Sequence, residues 1–199
     1  MLEVYLLRHG QTAWNADGNR YCGRTDLPRT ETGLAQARAA AGQLQHLAFD
    51  AVYASPLERA WHTAQLASGG LPVTTDERLI EADFGDWEGK PKEVFIPENE
   101  QLWQDWCADP AATRAGGTGE SARQIVDRVN DFFESLRQRH PAGKVLVVAH
   151  NGVNRFFLAH KLGMPLQHYR RLVLDNSSIT LFGLDETGEI SLMRLNSKM

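Results

Sequence analysis

The amino-acid sequence predicts an α/β fold, a three-layer α/β/α sandwich around a mostly parallel central sheet. Three observations lead there. Short apolar runs alternate with helical patterns along nearly the whole chain, the alternation that builds parallel sheets. The 199 residues, 42% hydrophobic and 23% charged, have the length and composition of one globular domain with a full core. The last two apolar runs instead flank a tight turn, so the sheet is expected to end on a non-parallel element.

Residues 3–7 read as a buried strand, and the polar, glycine-containing stretch 10–29 fits neither period, as a long functional loop would. From Thr30 or Thr32 to Ala48, the residues Leu34, Ala37, Ala41, Leu44 and Ala48 recur at helical spacing. A second strand follows at 51–54. Ser55, Pro56, Leu57 and Glu58 look like a helix start, with Ser55 as N-cap, proline first in the helix and Glu58 closing a capping box, so that Arg59 falls in the first turn. A third strand is placed at 73–75. Between 90 and 119, prolines and glycines interrupt a cluster of aromatics that includes Phe95, Trp103 and Trp106, and the tract reads as an insertion. Residues 122–139 form an amphipathic helix with Ile125, Val129, Phe132, Phe133 and Leu136 on one face, stopped by Pro141. A strand at 144–149, a helix at 153–162 ending at Gly163, and a hairpin of 179–184 with 190–195 complete the chain. Neither a repeat nor a linker interrupts it, so residues 1–199 are expected to form a single domain, with 90–119 as a cap insertion.

A net charge of −4 gives no electrostatic footprint for nucleic acid or an anionic membrane. Any anion must then be caught by a few local cations. The apolar start at 4–7 is too short for a signal peptide and no stretch approaches a membrane span, so a cytoplasmic protein without a membrane partner is expected. Cys22 and Cys107 lie far apart without zinc-finger spacing and read as free thiols.

In an open α/β sheet, ligands bind beyond the carboxyl ends of the strands. The residues found there are Arg8, His9 and Gly10 after the first strand, Arg59 after the second, and His150, Asn151 and Gly152 after the strand at 144–149. Taken singly, each has a plain reading as a packing histidine or a solvated arginine. A cation in the first turn of a helix opposes the helix dipole, however, which points to an anion near Arg59. The topology can gather two arginines and two histidines at one edge.

The stretch from Leu6, Leu7, Arg8, His9 and Gly10 through Gln11, Thr12, Ala13, Trp14 and Asn15 resembles the signature of the histidine phosphatase superfamily, phosphoglycerate mutase-like branch. Further blocks follow in the family's order. Asp26, Leu27 and Pro28 with Thr30 and Gly33 come first, then Ser55 to Ala60 with Thr63 and Ala64. Arg78 to Glu81 leading to Phe84, Gly85, Asp86, Trp87, Glu88 and Gly89 come next, and last Val147 to His150. The resemblance implies a phosphoglycerate mutase-like fold. It implies His9 as nucleophile, Arg8, Arg59 and His150 as ligands of the transferring phosphoryl group, and Glu81 as proton donor, with neither metal nor cofactor. The chemistry is consistent: flanking arginines keep an imidazole neutral and nucleophilic, and their planar forks match phosphate oxygens. A charge pair at ~4 Å is worth about 4 kcal/mol at an effective dielectric near 20, so one arginine carries about a thousandfold in rate.

Composition does not choose Glu81 over Asp83, Asp86 or Glu88; only the family register does. Asn15 and the backbone at Gly23 are expected as further substrate contacts. Arg29, Cys22, Ala82 and Asp83 depart from the family pattern, while His46, His62, His140, His160 and His168 fit no motif.

The tract after Gly89 lacks the long basic insertion of the mutases. The chain is therefore expected to be a small phosphatase acting on a small phosphorylated metabolite, α-ribazole phosphate or a broad range of esters, as monomer or homodimer. A cofactor-dependent phosphoglycerate mutase is the alternative. A non-catalytic binding protein is a second, disfavoured because the motif positions are intact. Phe95, Trp103 and Trp106 have two readings, as aromatic walls favouring a bulky leaving group or as residues packing the insertion onto the domain.

Overall fold

The computed structural model describes residues 1–198. β1 (Leu2–Arg8) carries apolar side chains on both faces, as a central strand covered by helices must. The loop after it holds one helical turn, α1 (Ala13–Ala16), before α2 (Glu31–Leu44), where the Thr30 hydroxyl accepts from the Gly33 N–H at 3.0 Å. α2 ends before Ala48 because the chain turns at Leu44 to Leu47 to enter β2 (Ala51–Ala54).

α3 (Glu58–Ala67) starts later than its sequence suggests. Leu57 occupies the cap position, and the Asp26 carboxylate accepts from the Glu58 N–H at 3.0 and 3.1 Å. A carboxylate from a distant loop thus caps the Glu58 N–H, while the Ser55 hydroxyl reaches only the Leu57 N–H, at 3.3 Å. After β3 (Val73–Thr75), two single-turn 3₁₀ segments at Glu77–Leu79 and Gly85–Trp87 flank Glu81. The insertion is helical, with α4 (Lys92–Glu98) and α5 (Glu100–Ala108), the second capped by Asn99.

α6 (Ala122–Arg139) opens on a Ser121–Gln124 capping box and buries the expected apolar face. β4 (Gly143–Ala149) runs into α7 (Asn151–Lys161). A 3₁₀ turn at Leu166–Arg171 leads to the hairpin of β5 (Ile179–Leu184) and β6 (Ile190–Ser197).

The sheet order is β3-β2-β4-β1-β5-β6. β1 to β4 are mutually parallel, while β5 runs antiparallel to β1 and β6 to β5. Leu7, Val52, Ala54, Leu146 and Val148 pack under α2 and α3 on one face. Leu2, Val4, Leu6, Val145 and Val147 pack under α6, α7 and Trp106 of α5 on the other. Each aromatic buried between those layers, such as Phe132, Phe156 and Phe157, contributes roughly 1.5–3 kcal/mol by leaving water. Register then fixes the site. Arg8 pairs with Ala149 and Ala54 with Val148, so His9, Ser55 and His150 emerge level at one sheet edge.

Candidate active site

His9 leaves β1 with its N–H bonded to the Ala149 carbonyl at 3.1 Å. Its ring Nδ1 lies 2.7 Å from the Gly10 carbonyl oxygen. A carbonyl only accepts, so Nδ1 carries the proton and Nε2 keeps its lone pair free. Burial, then the charges of Arg59 and Arg8, hold the His9 pKa well below the usual histidine value. The chain tolerates this tight turn because Gly10 and Gly33 face each other. A Cβ on Gly10 would come 2.3 Å from the Gly33 carbonyl oxygen.

His150 is fully buried, with its ring centroid 5.1 Å from that of His9. Its Nε2 lies 2.7 Å from the Ser55 hydroxyl, which already accepts from the Leu57 N–H at 3.3 Å. The hydroxyl proton is thus free to point at Nε2, which places the ring proton on Nδ1. That Nδ1 is buried without a protein partner. Burial, then Arg59, keeps this imidazole neutral as well.

Both arginines are anchored by their tips and leave Nε unpartnered. Arg8 donates to the Leu174 carbonyl at 2.6 Å, and burial followed by the charge of Arg155 lowers its pKa to about 10, so it remains charged near neutrality. Arg59, wholly buried, donates to the carbonyls of Thr25 (2.8 Å) and Gly23 (2.6 Å). Arg8 Nε, Arg59 Nε and His150 Nδ1 are therefore three buried donors without acceptors. Buried donors are nearly always paired, so a set of orphans beside a nucleophile calls for an oxyanion.

Glu81 is nearly buried and clamped at the start of α7. Its Oε2 accepts from the Gly152 N–H at 2.9 Å and its Oε1 from those of Val153 at 3.0 Å and Ala82 at 2.9 Å. Arg128 of α6 holds the segment from behind through the carbonyls of Arg78, Ile80 and Glu81. The rival carboxylates are occupied elsewhere: Asp83 accepts from Gly85, Asp86 from Thr118, and Glu88 from Gly23 and Thr25.

Arg8, His9, Asn15 and Glu81 line one cavity of about 290 Å³. Asn15 Oδ1 accepts from Thr12 and Asn176, which leaves its amide NH₂ for a ligand. Arg59 and His150 do not line the cavity and lie buried beside it. Gly23 departs from expectation. Its N–H is taken by Glu88 and its carbonyl by Arg59, so it supports Arg59 and offers no direct contact.

Phe95 and Trp106 are core residues, stacked on Trp87 and edge-on to Phe156, and neither lines the cavity. The aromatic-wall reading fails for both. The wall includes Lys92 of the insertion and four residues the sequence did not single out: Tyr21, Arg155, Tyr169 and Arg170. Arg155 left a trace, the only charge in the run from Val153 to Ala159, whereas Arg170 left none. Among the described residues, no group of three or more His, Cys, Asp or Glu side chains could hold a metal ion, and no helix is long and apolar enough to cross a membrane.

The model of the histidine phosphatase superfamily, branch 1, matches residues 4–198. The chain belongs to that superfamily. Among its relatives, phosphoserine phosphatase 1 of Hydrogenobacter thermophilus is 32% identical over 198 residues, 98% of this chain and 92% of that protein. A probable phosphoglycerate mutase GpmB of Yersinia pestis is 33% identical over 189 residues, 94% and 87% respectively. The solved structure of a putative α-ribazole-5′-P phosphatase from Escherichia coli superposes with a TM-score of 0.86 at 32% identity, covering 98% of this chain and 96% of the other. Phosphatase chemistry on small phosphorylated compounds thus accompanies this fold in its relatives, and the three-layer sheet is the one the superfamily shares.

Proposed function

We propose that the protein is a phosphomonoesterase that hydrolyses small phosphate esters through a phosphohistidine on His9. In the first step, Nε2 of His9 attacks phosphorus, the bond to the ester oxygen breaks, and the leaving oxygen takes a proton from Glu81. In the second, the Glu81 carboxylate removes a proton from water as that water attacks phosphorus. The P–N bond breaks and phosphate leaves with the imidazole restored. Arg8, Arg59 and His150 neutralise and orient the equatorial oxygens, a task of positioning and charge that needs little else from the protein. The observation that carries this reading is the His9 Nδ1 contact to Gly10. It fixes the tautomer with a free Nε2 in the same cavity as Glu81.

The mutase reading keeps one point in its favour, the relative named as a probable phosphoglycerate mutase. It needs the same phosphohistidine to pass to a sugar acid hydroxyl instead of water. Rapid acid-free quenching with a labelled ester is expected to trap an acid-labile, alkali-stable adduct that His9→Ala cannot form. The partition of that label between phosphate and a phosphoglycerate separates hydrolase from mutase. Absence of any adduct, with His9→Ala still active, would remove both readings.

A further inference from the structure

Asn151 stands between two parts of the site and has no task in either. It follows His150 at the end of β4 and opens α7, and its neighbour Gly152 gives its N–H to Glu81 Oε2 at 2.9 Å. Its side chain lines the cavity with Arg8, His9 and Glu81. Its Oδ1 is buried there without a hydrogen-bond partner. Among the described cavity-lining side chains, the other buried polar atoms without a partner are Arg8 Nε and Arg155 Nε. Both of those are donors, which leaves Asn151 Oδ1 as the orphaned acceptor. Arg155 lies one helical turn further along the same face, yet the two orphans do not meet. A buried carbonyl oxygen left unpaired costs free energy, which a proton donor arriving in the cavity recovers. A dianionic phosphoryl group offers only acceptor oxygens, so the partner that Oδ1 lacks is a different molecule, one that carries an O–H.

We propose that Asn151 accepts a hydrogen bond from the water that attacks the phosphohistidine, and so selects water over an alcohol as the phosphoryl acceptor. The proposal rests on the phosphohistidine reading above and deepens it. Counting protons separates the candidates for that bond. The ester oxygen of the substrate carries no proton, and the one it gains on leaving comes from Glu81, so the first step gives Oδ1 nothing to accept. An acceptor alcohol has a single proton, which the Glu81 carboxylate takes. Water has two. As it attacks, one O–H points to Glu81, the other to Oδ1, and a lone pair faces phosphorus. The first proton passes to Glu81, the P–N bond breaks with its electron pair returning to Nε2 of His9, and the second proton stays on the new phosphate oxygen. A bond made only to that water stabilises the second step and leaves the first untouched.

Formation and decay of the phosphohistidine, labelled from an activated aryl phosphate and followed by rapid quenching, separate the two steps. Asn151→Leu should leave the rate of formation within about threefold and slow decay about tenfold, the ~1.4 kcal/mol of one lost hydrogen bond. With glycerol present, the share of label passed to glycerol instead of water should rise severalfold, because the alcohol does not use the lost acceptor. Asn151→Asp restores an acceptor in the same shape and should recover part of the decay rate. Unfolding midpoints identify a variant that has lost its packing, and Asn151→Ala then carries the comparison. Equal slowing of formation and decay would make Asn151 a contact of the phosphoryl group or a support for Arg155, and overturns the proposal. An unchanged decay rate, or an unchanged share passed to glycerol, overturns it as well. If the unsubstituted protein forms no phosphohistidine, the reading on which the proposal rests falls and takes the proposal with it. If the adduct forms and decays equally fast in Asn151→Leu, the proposal falls alone.

Discussion

Glu81 accepts two backbone N–H bonds at the start of α7 and a third from Ala82, an arrangement that only a glycine at 152 permits. A Cβ there would lie 2.6 Å from Glu81 Oε1. The carboxyl is thus aimed by a segment seventy-odd positions along the chain, which is why four neighbouring acidic residues could not be told apart from composition. The same holds for Arg155 and Arg170, whose meeting depends on the packing of α7 against the turn that follows it. That Arg8, His9 and His150 meet at one sheet edge was legible because each directly follows or ends a strand, while their roles rested on the family resemblance. The acid role has a direct readout. Glu81→Gln should slow an alkyl phosphate by 10²–10⁴-fold, the usual range for general acid catalysis, and an activated aryl phosphate far less. Equal losses on the two substrates, or a larger effect from Asp83→Asn, would transfer the role.

Periodicity located the elements well where one face is buried against the sheet. α6 matches its expected span because its apolar stripe and its Ser121 capping box agree. Local pattern failed at α3, where Ser55 has a better partner in His150 and a long-range carboxylate caps the helix instead. It also read 90–119 as irregular, since Pro97 and Asn99 break what are two short helices, α4 and α5. The cap assignment is testable by amide exchange. Asp26→Ala should lower stability by about 1 kcal/mol, as loss of an N-cap does, and expose the Glu58 amide to exchange. Ser55→Ala should leave that amide protected, and the opposite pattern would return the cap to Ser55. Because Asp26 also lies 4.0 Å from Arg59, the same loop ties the helix start to the phosphate site.

Across the whole molecule, the site stores destabilisation that pH reveals. His9 and His150 are buried and held neutral by desolvation first and by Arg59 next, so the folded chain resists protonating either of them. The unfolded chain does not. Once the pH falls below the ordinary histidine value of about 6.5, the unfolded state binds more protons, and stability declines with falling pH. Each histidine contributes a slope approaching 1.4 kcal/mol per pH unit until its folded pKa is reached. The carboxylates with lowered pKa, Asp76 through Arg78 and the part-buried Glu120 through Arg128, act in the same direction but only as the pH approaches their own unfolded values near 4. The window between about pH 6.5 and 4.5 therefore isolates the histidines. Urea unfolding across it should show stability dropping, chiefly through His9 and His150, with exposed His160, whose pKa desolvation also lowers, adding a smaller part in the same direction. His9→Gln should remove a large share of that slope while leaving the acid-range loss in place. A flat profile in the unsubstituted protein would mean that both imidazoles protonate freely in the fold. The neutral nucleophile on which the phosphohistidine depends would then be absent below neutrality.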